Sequence, residues 1–164
     1  HHPRRGRHRH RDQERNAMKW VTRRSIRVNR AATAWLIRRF IDPDATFLFV
    51  DPEAVAEVER REGARGFDAP GVSYPHKDAH GRCSFEALVA EHRPDDTVLR
   101  TLARIVRGAD FPDELHLTPE SAGLQAISRG FPLAAQDDHD TVEKVMFLYD
   151  ALYASLAERA HAGA

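Results

Sequence analysis

The chain reads as a predominantly helical α+β protein, with a small N-terminal β-sheet of two or three short strands packed on a bundle of five to six helices. Three observations predict this. Short apolar alternations and runs with strand character occur only in the first third of the chain. Glycine and proline break the centre, residues 63–82, into irregular backbone. Everything after Cys83 carries helical periodicity between recognisable caps.

In order, Trp20-Val21-Thr22 and Ile26-Arg27-Val28 alternate apolar and polar and predict one strand or two short ones. From Arg30 to Phe40, Ala32, Trp35, Leu36 and Phe40 recur at helical spacing, and Asp42-Pro43-Asp44 stops that helix because proline disfavours helical backbone before it. Thr46-Phe47-Leu48-Phe49-Val50 is a continuous apolar run suited to a buried strand. Asp51-Pro52-Glu53 opens a helix that carries Val55 and Val58 and ends at Gly63. Ser84 is the expected N-cap of the next helix, with Phe85, Leu88 and Val89 on its buried side. Asp95 or Asp96 caps another, with Val98, Leu102, Ile105 and Val106 inside and Gly108 closing it. Thr118-Pro119-Glu120 opens a further helix that ends at Gly130. The last helix follows Val142, Val145, Met146, Tyr149, Leu152, Tyr153 and Leu156, a stripe at i, i+3, i+4, i+7.

A length of 164 residues suits one domain, expected over 18–160, and no apolar run approaches the ~20 residues that span a bilayer. The net charge of zero conceals an asymmetry. Residues 1–17 hold six arginines against Asp12 and Glu14, a net of +4, and the remaining 19 basic and 23 acidic residues leave −4. The first segment is expected to be a disordered basic tail preceding a natural start at Met18. The mildly acidic remainder argues against a nucleic-acid-binding face on the folded domain. Cys83 is the only cysteine, so no internal disulfide and no thiolate zinc finger can form, and a cytoplasmic protein is the simple expectation.

No Walker loop, G-x-G-x-x-G, G-x-S-x-G or H-E-x-x-H is present. Chemistry-bearing residues gather instead in the broken centre, at His76, Lys77, Asp78, His80, Cys83 and Glu86. Imidazoles, a thiol and carboxylates in this density make His76, His80, Cys83, Glu86 and Asp110 candidate metal ligands, for a divalent ion if any. Each also has a plainer reading. Glu86 suits the first turn of a helix, and Cys83 suits a small buried filler or, near a helix N-terminus, an activated thiol. Arg107 and Gly108 suit a helix end, which leaves Asp110 over for the central site. Asp137-Asp138-His139-Asp140 reads first as capping, second as a hard-metal site, and His92 and His116 read as surface. A second group is basic. Arg30 opens the first helix with Arg38 and Arg39 further along, and Arg23, Arg24 and Arg27 lie just upstream. Guanidinium forks of this kind hold tetrahedral oxyanions bidentately, which makes Arg30, Arg38, His76 and His80 the candidate ligand-binding set.

Five collinear segments carry a resemblance to a known family. They are Trp20-Val21-Thr22-Arg23 with Asn29-Arg30 and Trp35 through Asp42; Phe67-Asp68 with Pro70-Gly71; Cys83-Ser84-Phe85-Glu86; Ile105 through Asp110; and Tyr149 through Tyr153. Together they resemble the C-terminal domain of the ChrB chromate-resistance proteins. The resemblance implies a role in bacterial chromate resistance, beside an efflux transporter or as a chromate-responsive regulator, and brings no catalytic mechanism. It also implies an acid where this chain has Asn29, and Cys-Pro where it has Thr33-Ala34. The amino-terminal half of longer members is missing from the match, so promoter recognition is not expected of this chain alone.

Three readings follow. The first is an accessory or sensor domain that binds chromate or a related oxyanion, or a metal ion, in a pocket between the arginine-rich helix and the histidine-bearing loop. The second is a metal-dependent enzyme acting on chromium species or reactive oxygen by-products. The third is a helical interaction module, with a homo-oligomer, a regulatory partner or a neighbouring domain as its counterpart. Whether the domain is an enzyme is left open by the residues.

Overall fold

The structure is a computed structural model that describes residues 18–163. The expected basic tail, residues 1–17, lies outside the described residues. Among them, three strands and seven α-helices form the predicted α+β arrangement: β1 (Lys19–Arg23), α1 (Val28–Leu36), β2 (Thr46–Val50), α2 (Val55–Glu62), β3 (Arg65–Gly66), α3 (Ser84–His92), α4 (Thr97–Asp110), α5 (Ser121–Arg129), α6 (Phe131–Ala134) and α7 (Asp138–Ala162). The helix count exceeds the expected five to six through the single turn of α6, which follows Gly130 directly instead of ending there.

The sheet is wholly parallel in the order β2-β1-β3. Parallel pairing needs a crossover, and α1 and α2 supply the two. Side chains alternate across β1, so Trp20 enters the large core under α1 while Val21 enters a smaller one with Val55, Val58, Ala64 and Ala69. Both faces of the central strand are therefore covered, which is why it carries no exposed polar side. β3 was not predicted. It is only two residues long, and its pairing of Arg65 with Trp20 and Gly66 with Val21 leaves no apolar pattern to read.

α1 is buried on nearly all sides, from Val28 and Asn29 to Trp35 and Leu36, and its alanines let α3, α4 and α7 approach closely. It runs into a π-helical turn, Ile37–Ile41, closed by a hydrogen bond from the Asp42 amide to the Ile37 carbonyl at 2.7 Å. α7 docks on it through polar contacts as well as apolar ones. Tyr149 donates to the Val28 carbonyl at 3.2 Å, and Trp35 Nε1 donates to Asp150 at 2.8 Å. Arg39 closes a bidentate pair on the same carboxylate at 3.0 and 2.7 Å. The segment Ile26-Arg27-Val28 is not a second strand: Val28 already begins α1.

Two cap assignments change. Ser84 is the first residue of α3 rather than its cap, because the cap position belongs to Cys83, whose amide donates to Glu86 at 3.2 Å. Gly108 does not end its helix. α4 continues to Asp110, and Gly108 is where α5 crosses: a Cβ there would collide with Ser121 Oγ, which donates to the Ile105 carbonyl at 3.0 Å. Asp96 and Asp137 cap α4 and α7 as read, accepting from Leu99 and Asp140 amides.

This crossing predicts that Gly108→Ala lowers unfolding free energy by about 1–3 kcal/mol through overpacking. Gly123→Ala, in the same helix pair but facing open space, is expected to gain roughly 0.5–1 kcal/mol from reduced backbone freedom. Urea midpoints check both, and equal effects at the two positions would contradict the crossing geometry.

Candidate functional site

β1 ends at Arg23, and the chain turns through Ser25, which has a left-handed φ of 60°, before entering α1. The turn is held by α7: Asp138 accepts from the Ser25 amide at 2.9 Å and the Ile26 amide at 2.8 Å. Beside it, β3 ends at Gly66, Phe67 fills the large core, and Asp68 follows with a left-handed φ of 51°. Aspartate tolerates that conformation better than most residues, and such strain gathers at functional sites. The Asp68 amide donates to the Tyr74 carbonyl at 2.7 Å, and the Thr22 hydroxyl donates to the Phe67 carbonyl at 2.5 Å, so both flanks of the turn are fixed.

Asp68 is only 2% exposed, and three basic side chains meet its carboxylate. His76 Nδ1 lies 2.6 Å from Oδ1, an Arg23 terminal nitrogen 3.2 Å from the same oxygen, and an Arg30 terminal nitrogen 3.5 Å from Oδ2. Arg23 Nε also donates to the Asp68 carbonyl at 2.7 Å. Asp110, at the end of α4, completes the group. Its Oδ2 is 3.8 Å from His76 Nδ1, and the same oxygen is buried with no hydrogen-bond partner among the described residues. Beside this cluster, at the carboxyl end of β1, opens a cavity of about 390 Å³. Arg23, Arg24, Arg27 and Arg30 line it together with Ser25, Asn29, Asp68 and Asp110. In parallel sheets, ligand crevices lie at this end, where crossovers leave in opposite directions.

The charges perturb one another. Burial, and then the nearby Asp68 charge, push the Asp110 carboxyl up to about 6, against the pull of His76, Arg30 and Arg23. The hydrogen bond to Asp68 raises His76 above its usual value, although partial burial opposes it. Burial lowers Arg30, whose pairing with Asp68 works the other way.

The other candidates lie apart from this cluster. Arg38 pairs with Glu143 at 2.7 Å and sits 5.4 Å above the Phe47 ring, so it does not line the cavity. His80 is exposed, and only its backbone amide is engaged, donating to Asp78 at 2.9 Å. Cys83 is fully buried, and burial followed by the adjacent Glu86 charge raises its thiol, the reverse of activation. Glu86 is taken by Arg107 at 2.8 Å, and that guanidinium also holds Glu114 at 3.0 Å and the Gly81 carbonyl at 2.7 Å. Of the five candidate metal ligands, the structure brings together His76 and Asp110; among the described residues, no three His, Cys, Asp or Glu side chains converge as a metal set. Asp68, Arg23, Arg24 and Arg27 are site residues that the sequence reading left out of its candidate set. Phe67-Asp68 stood out as a segment, but nothing in its spacing showed that its carboxylate faces Arg30.

The two raised groups bear on stability. Both bind protons more tightly in the folded state, so their contribution is full at low pH. It is lost for Asp110 as pH rises from 3.8 to about 6, and for His76 as pH climbs past 6.5 through its raised value. Asp110→Asn is therefore expected to stabilise the domain at about pH 8 by roughly 1–3 kcal/mol more than at about pH 4. Urea unfolding at both pH values checks this, and a pH-independent difference would contradict it.

The family comparison agrees with the collinear segments noted in the sequence. The C-terminal domain of ChrB matches residues 20–156. A similar protein is Protein ChrB of Cupriavidus metallidurans, 36% identical over 137 residues, which cover 82% of this chain and 39% of that protein. The chain thus spans well under half of that relative's length. No solved structure matches. The residues around the cavity, from Arg23 and Arg30 through Asp68 to Asp110, all fall within the matched span, and on that match the chain belongs to the ChrB family, as a form of its C-terminal domain.

Proposed function

We propose that this domain binds a tetrahedral oxyanion, chromate in the first instance, in the arginine-lined cavity, and acts as an accessory or sensor domain in chromate resistance. Family membership supports the resistance-related role. The single observation that carries the anion reading is the convergence of Arg23, Arg24, Arg27 and Arg30 on one cavity at the carboxyl end of β1. Four guanidinium groups there face two carboxylates, one of them raised towards neutrality. Arg27 is exposed and has no ion pair among the described residues, while Arg24 is held by Asp51 at 2.9 Å on an exposed side. Both can turn to an anion at little cost, because exposed ion pairs contribute little. Arg23 and Arg30 are pre-positioned by Asp68, which acts as an internal counter-ion until a ligand arrives.

A divalent-metal reading has less to draw on, since His76, Asp68 and Asp110 sit among arginines that would repel a cation. Among the described residues, no helix is long and apolar enough to cross a membrane. The remaining length of longer relatives suggests a neighbouring domain as receiver of the bound state.

Chromate, and molybdate as a less oxidising tetrahedral analogue, are expected to raise the melting temperature of the full chain in a saturable way. Arg30→Ala is expected to weaken that binding about tenfold or more, and Arg38→Ala to leave it within about twofold, as one lost charged hydrogen bond would predict. No shift with either anion, or equal losses in the two variants, would refute the assignment.

A further inference from the structure

We propose that this cavity selects oxyanions that bear a proton, with Asp110 sharing that proton with the bound anion. Hydrogen chromate and hydrogen phosphate belong to this class. Sulfate, which holds no proton near neutral pH, is disfavoured once Asp110 is ionised. The inference rests on the oxyanion reading above and specifies its ligand.

The argument begins with an orphaned atom. Asp110 Oδ2 is buried and accepts no hydrogen bond among the described residues, although buried carboxylates normally do. His76 Nδ1 is 3.8 Å away and already committed to Asp68 at 2.6 Å. Yet Asp110 lines a cavity walled by arginines. A bare carboxylate there repels a fully ionised oxyanion and leaves two acceptors face to face. An anion carrying an O–H removes the conflict by donating to Oδ2, while its other oxygens accept from the Arg23 and Arg30 forks. If the proton resides on Asp110 instead, the carboxyl donates and the anion accepts, an arrangement open to sulfate only at pH values where Asp110 is protonated. The stoichiometry is the same: one proton lies between them. Sites built around a specific hydrogen bond reject ligands that lack it far more strongly than they reject changes of size.

The surroundings favour this arrangement. Arg23, Arg30, Asp68 and His76 all act on Asp110 from the strand end, α1 and the central loop. Cys83 of α3 and Tyr149 of α7 feel the Asp110 charge from behind; both are buried and raised, hence neutral. Asp138, at the rim, is occupied by two backbone amides. Asp110 is therefore the acid best placed to give or take the proton, and its value of about 6 puts that exchange near neutral pH.

The proton balance supplies the test. At about pH 8, a chromate dianion must bring one proton from solvent into the complex, whereas hydrogen phosphate already carries its own. Titration calorimetry of the full chain in two buffers of different ionisation enthalpy counts that proton. The expected result is uptake of about one proton per chromate, little uptake with phosphate, and sulfate binding at least about tenfold weaker than phosphate at about pH 8, where Asp110 is ionised. Asp110→Asn, whose amide can donate to any oxyanion, is expected to bring sulfate within about twofold of phosphate at the same pH. Chromate binding without proton uptake by the unaltered chain, or sulfate as tight as phosphate at about pH 8, would overturn the selectivity while leaving an oxyanion site standing. Failure of every oxyanion to bind would overturn both. Should the variant fold poorly, the proton count on the unaltered chain decides alone.

Discussion

Asp68 holds the functional end of this domain together. Its carboxylate is withdrawn from water and meets Arg23 from the end of β1, Arg30 from the first turn of α1 and His76 from the central loop. Burying a charge is costly, and the cost is met only because all three partners are present. The same residue fixes the backbone, since its left-handed conformation turns the chain away from β3 just after the last pairing with β1. Without it, Arg23, Arg30 and His76 would lose the one carboxylate that all three share.

Asn29 and Thr33 of α1 form one local environment with Ser84 beneath that wall. Asn29 Nδ2 donates to Ser84 Oγ at 3.0 Å, the Thr33 hydroxyl donates to Asn29 Oδ1 at 3.3 Å, and Thr33 and Ser84 oxygens lie 3.2 Å apart. All three side chains are fully or almost fully buried. An amide and two hydroxyls satisfy one another there, where an unpaired polar atom would be expensive. Asn29 and Thr33 are thus not independent positions along α1: they sit one helical turn apart and share a partner on α3. The lone thiol, Cys83, adjoins this triad in sequence but is neutral and enclosed, so the polar chemistry of the domain is carried by guanidinium, imidazole and carboxyl groups.

Much of the architecture was legible in the residues because it rests on local signals. Apolar runs marked β1 and β2, and the acid caps Asp96 and Asp137 marked the starts of α4 and α7. What escaped was set by tertiary contact. β3 is a strand only because β1 pairs with it, and Gly108 looks like a helix end until Ser121 is seen against it. Arg38 and Arg30 look equivalent in sequence, two guanidinium groups on one amphipathic segment. The fold sends one to Glu143 and Phe47 and the other to Asp68. His76 and His80 diverge in the same way. Four residues apart in an irregular loop, they need not share a face, and only the first meets a carboxylate of the cluster.

The anchorage of the Ser25 turn by Asp138 has a consequence for how the domain comes into being. Those hydrogen bonds span 112 and 113 positions of chain. During synthesis, the sheet and α1 emerge long before the start of α7, so the rim of the cavity stays unfinished until Asp138 has left the ribosome. The region that must be shaped most closely for recognition therefore waits on the start of α7, and chains cut before Asp138 that keep the sheet would carry its arginines without the geometry to use them.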